Sequence, residues 1–159
     1  MKVQLKKSLT GQVENPSEFQ IKKLTLEGIE LEEKLTYCLS IFTEGTLDPD
    51  IAGKKPDKFI TNLKHGIFGD FSKRYIIAAY DNDEAIGILI GFPEEGERMH
   101  IYSVHVSPKY RNRGAASALL STCINDMYMR NVKDIIIDVH VDNKPAYNLY
   151  KKFGFVEFS

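Results

Sequence analysis

The sequence predicts a mixed α/β domain built on one central, mostly antiparallel sheet with helices on both faces. Three observations lead to this class. Apolar residues recur at helical spacing over residues 27–45 and again near residue 60. From Arg74 onward the period shortens to that of strands, and after residue 98 strand-like and helix-like segments alternate. The 159 residues suit one domain with a sizeable core, and a chain 43% hydrophobic and 27% charged reads as globular and soluble rather than disordered.

Residues 1–18 are polar, carry Gly11 and Pro16, and read as a loosely held lead-in, so the folded domain is expected over 19–159. FQIKKLTL, residues 19–26, fits a first strand. EGIELEEKLTYCLSIFTEG follows, with Ile29, Leu35, Leu39 and Phe42 spaced for an amphipathic helix and Gly45 near its end. After the turn-rich TLDPDIAGKKPD, KFITNLKHGIF predicts a second, short helix. Tyr75–Tyr80 and Ala85–Phe92 flank DNDE as a β-hairpin. RMHIYSVHV predicts another strand, ended by Ser107-Pro108. Leu119, Leu120, Cys123, Ile124 and Met127 mark the inward stripe of a helix. VKDIIIDVHV is a strand whose unbroken Ile135–Ile137 run belongs in the middle of a sheet. KPAYNLYKKFGF is a short helix closed by Gly154, and VEFS ends the chain.

Composition excludes some functions. A formal net charge of −1 argues against nucleic-acid binding through an overall basic surface. Cys38 and Cys123 match no metal-ligand spacing and read as buried thiols of a reducing compartment. No segment has the apolar run of a signal peptide or membrane span, so a cytoplasmic location without membrane partners is the expectation.

One stretch, YRNRGAASALL (110–120), sets two arginines and small residues before a helical pattern. A helix N-terminus with little side chain in the way holds anions such as phosphate, although the same pattern also fits an ordinary loop-to-helix junction. Arg111, Gly114 and Ala116 match Arg/Gln-x-x-Gly-x-Gly/Ala, and Asn143, Ala146, Tyr150, Gly154 and Phe155 match N-x-x-A-x-x-x-Y-x-x-x-G-F. On these two motifs the chain resembles the GCN5-related N-acetyltransferase (GNAT) family over residues 98–155. The resemblance implies acetyl-CoA as co-substrate, no metal, and direct transfer to a primary amine of a small molecule or protein. It equally admits a non-catalytic CoA-binding regulatory module on the same fold.

By that resemblance the backbone of Val104, His105 and Val106 binds the pantetheine arm. Arg111, Asn112, Arg113, Gly114, Ala115 and Ala116 hold the phosphates, Asn143 contacts the cofactor, and Tyr150 protonates the departing sulfur. Tyr150 also fits a core aromatic, Asn143 a helix cap, and Arg113 a solvated charge. His100 and Asp138 are the candidate general bases, and His100 also reads as an ordinary strand histidine. Even spacing puts His100 and Val106 on one strand face, while odd spacing puts His100 and His105 on opposite faces, away from any shared metal. Tyr102, on the His100 face, reads as pocket or core. Glu94, Glu95 and Glu97 hint at a cationic acceptor. Family members add a further strand after the Gly-Phe pair, whereas this chain ends four residues later. The C-terminal strand region is therefore expected to be short, with a sheet edge open to a homodimer or a strand rearrangement.

Overall fold

In a computed structural model describing residues 1–14, 17–94 and 97–158, the change of period at Arg74 marks the start of the sheet's continuous centre. Strands β1 (Lys2–Ser8), β2 (Gln20–Lys23), β3 (Tyr75–Asp81), β4 (Glu84–Glu94), β5 (Arg98–Val106), β6 (Asp134–His140) and β7 (Val156–Glu157) join in one sheet. Their order is β2-β3-β4-β5-β6-β1-β7. Among the described residues only the β5–β6 pairing is parallel, and it is bridged by α3 (Ala115–Met129) as a parallel step requires. Helices α1 (Gly28–Phe42) and α2 (Asp57–Lys64) precede β3, and α4 (Lys144–Lys152) precedes β7.

Two apolar layers flank the sheet. On one face, Leu119, Leu120, Cys123, Ile124 and Met127 of α3 are buried against Ile77, Leu89, Ile101 and Ile137, and Tyr150 of α4 joins them. On the other, Leu31, Leu35, Cys38, Leu39 and Phe42 of α1 and Ile60 and Leu63 of α2 cover Ile76, Ile88, Ile90 and Phe92. Ile29, placed in the α1 stripe by spacing, lies in the first turn and is 72% exposed; Leu31 takes that inward position. The Ile135–Ile137 run is buried because β6 has neighbours on both sides.

The N-terminal segment corrects the expected lead-in. Residues 2–8 pair antiparallel with β6 along its full length, from Lys2↔His140 to Ser8↔Asp134, and with β7 through Leu5↔Glu157 and Lys6↔Val156. Leu5 is wholly buried. Only Val3 and Leu5 mark the inward face, a two-residue alternation outweighed by the surrounding lysines. This chain's own strand thus fills the place beside β6, and the two-residue β7 forms the sheet edge. The C-terminal strand is short, as the sequence implies.

Irregular pairing along β5 shapes the site. Pairing of β4 with β5 runs Ile90↔Ser103 and then Gly91↔Ile101, leaving Tyr102 as an extra residue in β5. Gly91 stands opposite this bulge, where a Cβ would lie 2.9 Å from the His100 carbonyl oxygen and overlap the Met99 methyl. Beyond Ile101, β5 has no pairing with β6. Replacing Gly91 by Ala should therefore lower unfolding free energy by about 1–3 kcal/mol through overpacking. Gly11→Ala, whose Cβ would meet nothing within 4 Å, should leave stability within experimental scatter; urea denaturation midpoints compare the two.

Candidate active site

Where β5 and β6 separate, a cleft of about 370 Å³ opens. Val104 and Val106 line it on one side, Tyr110 through Ser117 (Arg113 excepted) at one end, and Asn143, Ala146 and Tyr150 on the other side. The loop after α1 reaches over it through Gly45, Thr46 and Leu47. The Ser107 N–H bonds the Ile86 carbonyl of β4 at 2.8 Å. Because strand backbones alternate, the amides of Val104 and Val106 point the other way, into the gap.

The turn before α3 takes an anion-ready shape. Asn112 and Gly114 both have positive φ, at 63° and 87°, and Gly114 is the N-cap without a side-chain bond to the helix. The first intrahelical bond is donated by Ala118 to the Gly114 carbonyl. The amides of Ala115, Ala116 and Ser117 therefore have no helical acceptor and sit at the positive end of the dipole. Asn143 does not cap α4 with its side chain, and it lines the cleft.

The two arginines of the motif diverge. Arg111 lines the cleft, but its guanidinium is occupied by carbonyls: Nε donates to Val106 O (3.2 Å), and Nη2 donates to Phe42 O (2.9 Å) and Glu44 O (2.6 Å). It ties the end of α1 to the turn before α3. Arg113 lies outside the cleft lining, over the rings of Tyr110 (4.9 Å) and Phe19 (5.6 Å).

Tyr150 is 6% exposed and packs on Phe155, yet its hydroxyl meets no hydrogen-bond partner among the described residues. Burial, reinforced by the Asp48 carboxylate, pushes its pKa well above the usual phenol value. It is both a core aromatic and a cleft residue. The thiols of Cys38 and Cys123 are pushed up by burial, Cys38 to about 11, so neither is a ready nucleophile.

The bulge at Tyr102 reverses two expectations from spacing. An extra residue between His100 and His105 turns both toward α1 and α2, while Val106 joins the α3 side. His100 stacks on Tyr102 (4.2 Å between centroids) and lies between two carboxylates, Nε2 3.1 Å from Asp138 and Nδ1 3.3 Å from Glu94. The hydrogen bond from His100 holds the Asp138 carboxyl below its ordinary range. The two base candidates thus touch each other, but neither lines this cleft or the one beside it. Glu95 lies outside the described residues, and Glu97 pairs with Lys133 at 2.9 Å. Among the described residues no group of three His, Cys, Asp or Glu side chains could hold a metal.

His105, expected only as part of the 104–106 backbone, is a residue shared by both clefts. A second cavity of about 270 Å³ lies between β5, α2 and the 50–56 loop, and His105 lines it as well as the first. Burial is the main cause holding its pKa down to about 4; the Arg111 charge lowers it further and Asp48 opposes.

A profile of the acetyltransferase (GNAT) family matches residues 37–155. The chain belongs to this family. Among similar proteins, L-amino acid N-acetyltransferase AaaT of Escherichia coli is 35% identical over 86 residues, 52% of each chain. An N-alpha-acetyltransferase of Sulfurisphaera tokodaii is 31% identical over 111 residues, 62% of this chain and 63% of that one. The match thus spans between half and just under two thirds of these relatives' lengths. A PaiA N-acetyltransferase of Thermoplasma acidophilum, solved with coenzyme A, shares the fold with a TM-score of 0.65 at 16% identity, covering 86% of this chain and 88% of its own. In this GNAT fold Arg111, Gly114 and Ala116 of one motif and Asn143, Ala146 and Tyr150 of the other line one cleft.

The lowered pKa of His105 has a measurable sign. Below about pH 6.5 the unfolded chain binds a proton at this histidine and the folded chain does not until about pH 4. Stability should therefore fall across that window as pH decreases, by an amount on the order of 3 kcal/mol. His105→Asn should remove that slope in urea denaturation series at pH 7.5, 5.5 and 4.5.

Proposed function

We propose that the chain is an acetyl-CoA-dependent N-acetyltransferase that passes the acetyl group directly to a primary amine in a ternary complex. One observation carries the reading: a cleft running from helix amides without acceptors to a partnerless tyrosine hydroxyl meets a second cavity at His105. The first suits a diphosphate-bearing thioester, in keeping with a structural neighbour from Thermoplasma acidophilum that was solved with coenzyme A. The second suits the acceptor.

In this reading the amides of Ala115, Ala116 and Ser117 hold the phosphates, as the N-terminus of α3 favours negative charge. Val104 and Val106 offer their inward amides to the pantetheine arm and the thioester carbonyl, stabilising the oxygen as it gains charge. Acetyl-CoA supplies an acetyl thioester whose C–S bond breaks as the C–N bond to the amine forms. Tyr150, protonated at any working pH, donates a hydrogen bond to the sulfur as its charge builds. Full transfer from so weak an acid to a thiolate with a reference pKa of about 8.5 is uphill, so the proton shed by the amine completes the balance. Arg111 keeps the turn and the α1 end in register around this chemistry. His100 and Asp138 serve as positioning residues that bind β5 to β6 just before the strands part.

Two measurements test the reading. Ala116→Glu retains a helix-compatible residue and places a carboxylate against the phosphates; it should weaken acetyl-CoA binding about 100-fold by calorimetry, with circular dichroism unchanged. Tyr150→Phe should leave that affinity intact and lower kcat by about 10²-fold in a CoA-release assay against an amine panel. Binding without release for every amine would identify a CoA-binding module instead.

A further inference from the structure

The second cavity has a definite chemical character. Phe59, Phe68 and Tyr102 form its aromatic wall, with ring centroids 5.3 Å and 4.8 Å apart along the series. Lys54, Lys55 and Lys58 line its rim, exposed, and none of them pairs with an acid among the described residues. Asp50 also lines it, but its carboxylate is held by Lys2 at 3.3 Å. At the inner end, the Ser103 hydroxyl is buried in the lining without a hydrogen-bond partner among the described residues, in a residue 6% exposed. A buried hydroxyl left so costs free energy unless something supplies the missing bond. This cavity therefore offers a polar inner end beside His105, an apolar middle, and an uncompensated positive rim.

Resting on the acetyltransferase reading above, we infer that the acceptor is a small amine that also carries a carboxylate and an apolar body, as a free amino acid does. Its amine meets Ser103 and His105 where the two clefts join, its apolar part lies on the aromatic wall, and its carboxylate answers the lysines. A cavity of about 270 Å³ suits a small molecule of this kind. A simple cationic acceptor, to which the acids near residue 95 pointed, would face three lysines at the rim.

Matched pairs that differ only in charge test this: L-phenylalanine against L-phenylalaninamide, and 6-aminohexanoate against 6-aminohexanamide. Rates are referred to the free-base amine, and acceptor binding is followed in parallel by calorimetry with CoA present. Within at least one pair the carboxylate should win in kcat/KM by about 3- to 10-fold, the range of contacts with exposed charges. The pair that does so tells whether amine and carboxylate share a carbon or lie at opposite ends. In the triple variant Lys54→Met, Lys55→Met, Lys58→Met the ratio should collapse toward one, and Ser103→Ala should weaken acid and amide alike. Equal or better turnover of the amides would overturn the inference while the acetyltransferase reading stands, and so would better turnover of longer peptides. So would a rise in KM for acetyl-CoA in the lysine variant, which would assign the lysines to the nucleotide. Charge-dependent binding without turnover would sustain the inferred ligand and remove the acetyltransferase reading; absence of both binding and turnover would remove both.

Discussion

A strand that carries one residue more than its neighbour cannot stay in step with both sides of a sheet. In this protein that constraint acts at Tyr102 of β5. The bulge falls directly after Ile101, the last residue that β5 pairs with β6, and added local twist carries the two strands apart. The separation leaves the backbone of Val104 and Val106 facing space rather than a ladder. It also swings His105 and Ser103 to the α1–α2 side, where the second cavity lies. Gly91 is the complementary half, the residue without a Cβ that lets β4 follow the bend.

Around that opening the charged groups divide their work. The imidazole of His100 bridges from β5 to Asp138 on β6, a brace at the point of divergence, with Glu94 on its other nitrogen. The Arg111 guanidinium is engaged by carbonyls of Val106 and of the end of α1, which leaves the backbone amides and the helix dipole as the unengaged polar groups of the turn. The same guanidinium lies near His105, and Asp48 acts on it in the opposite sense; with burial dominant, the ring stays neutral in ordinary buffers.

Much of this was legible in the residues because it rests on local rules. The α3 stripe, the hairpin about residues 81–84 and the buried run of β6 follow from periodicity, and the resemblance placed the Gly114 turn and Tyr150, which the fold brings to one cleft. What was not legible depends on an insertion or a distant partner. Alternation counts every residue, so a single unpaired Tyr102 inverts the faces assigned to His105 and Val106; Gly91 across the ladder was the one available signal. β1 stayed hidden because Val3 and Leu5 alone announce a strand that gains its hydrogen bonds from residues more than a hundred positions away. The occupied state of Arg111 depends on carbonyls of residues 42 and 44, whose side chains say nothing about it.

The interior position of β1 has a consequence for how the chain acquires its shape. The amine of Met1 lies 3.0 Å from the His140 ring, 139 residues away in sequence, and β1 borders β6 on one side and β7 on the other. β1 can therefore pair on either side only once segments more than a hundred residues later in the chain are available. Contacts of such long range close slowly, since the loop entropy is lost before the ladder forms. Until then β6 shows an unpaired edge, the surface on which strands of other chains add. Closing this part of the sheet thus depends on ladders that join residues more than a hundred positions apart.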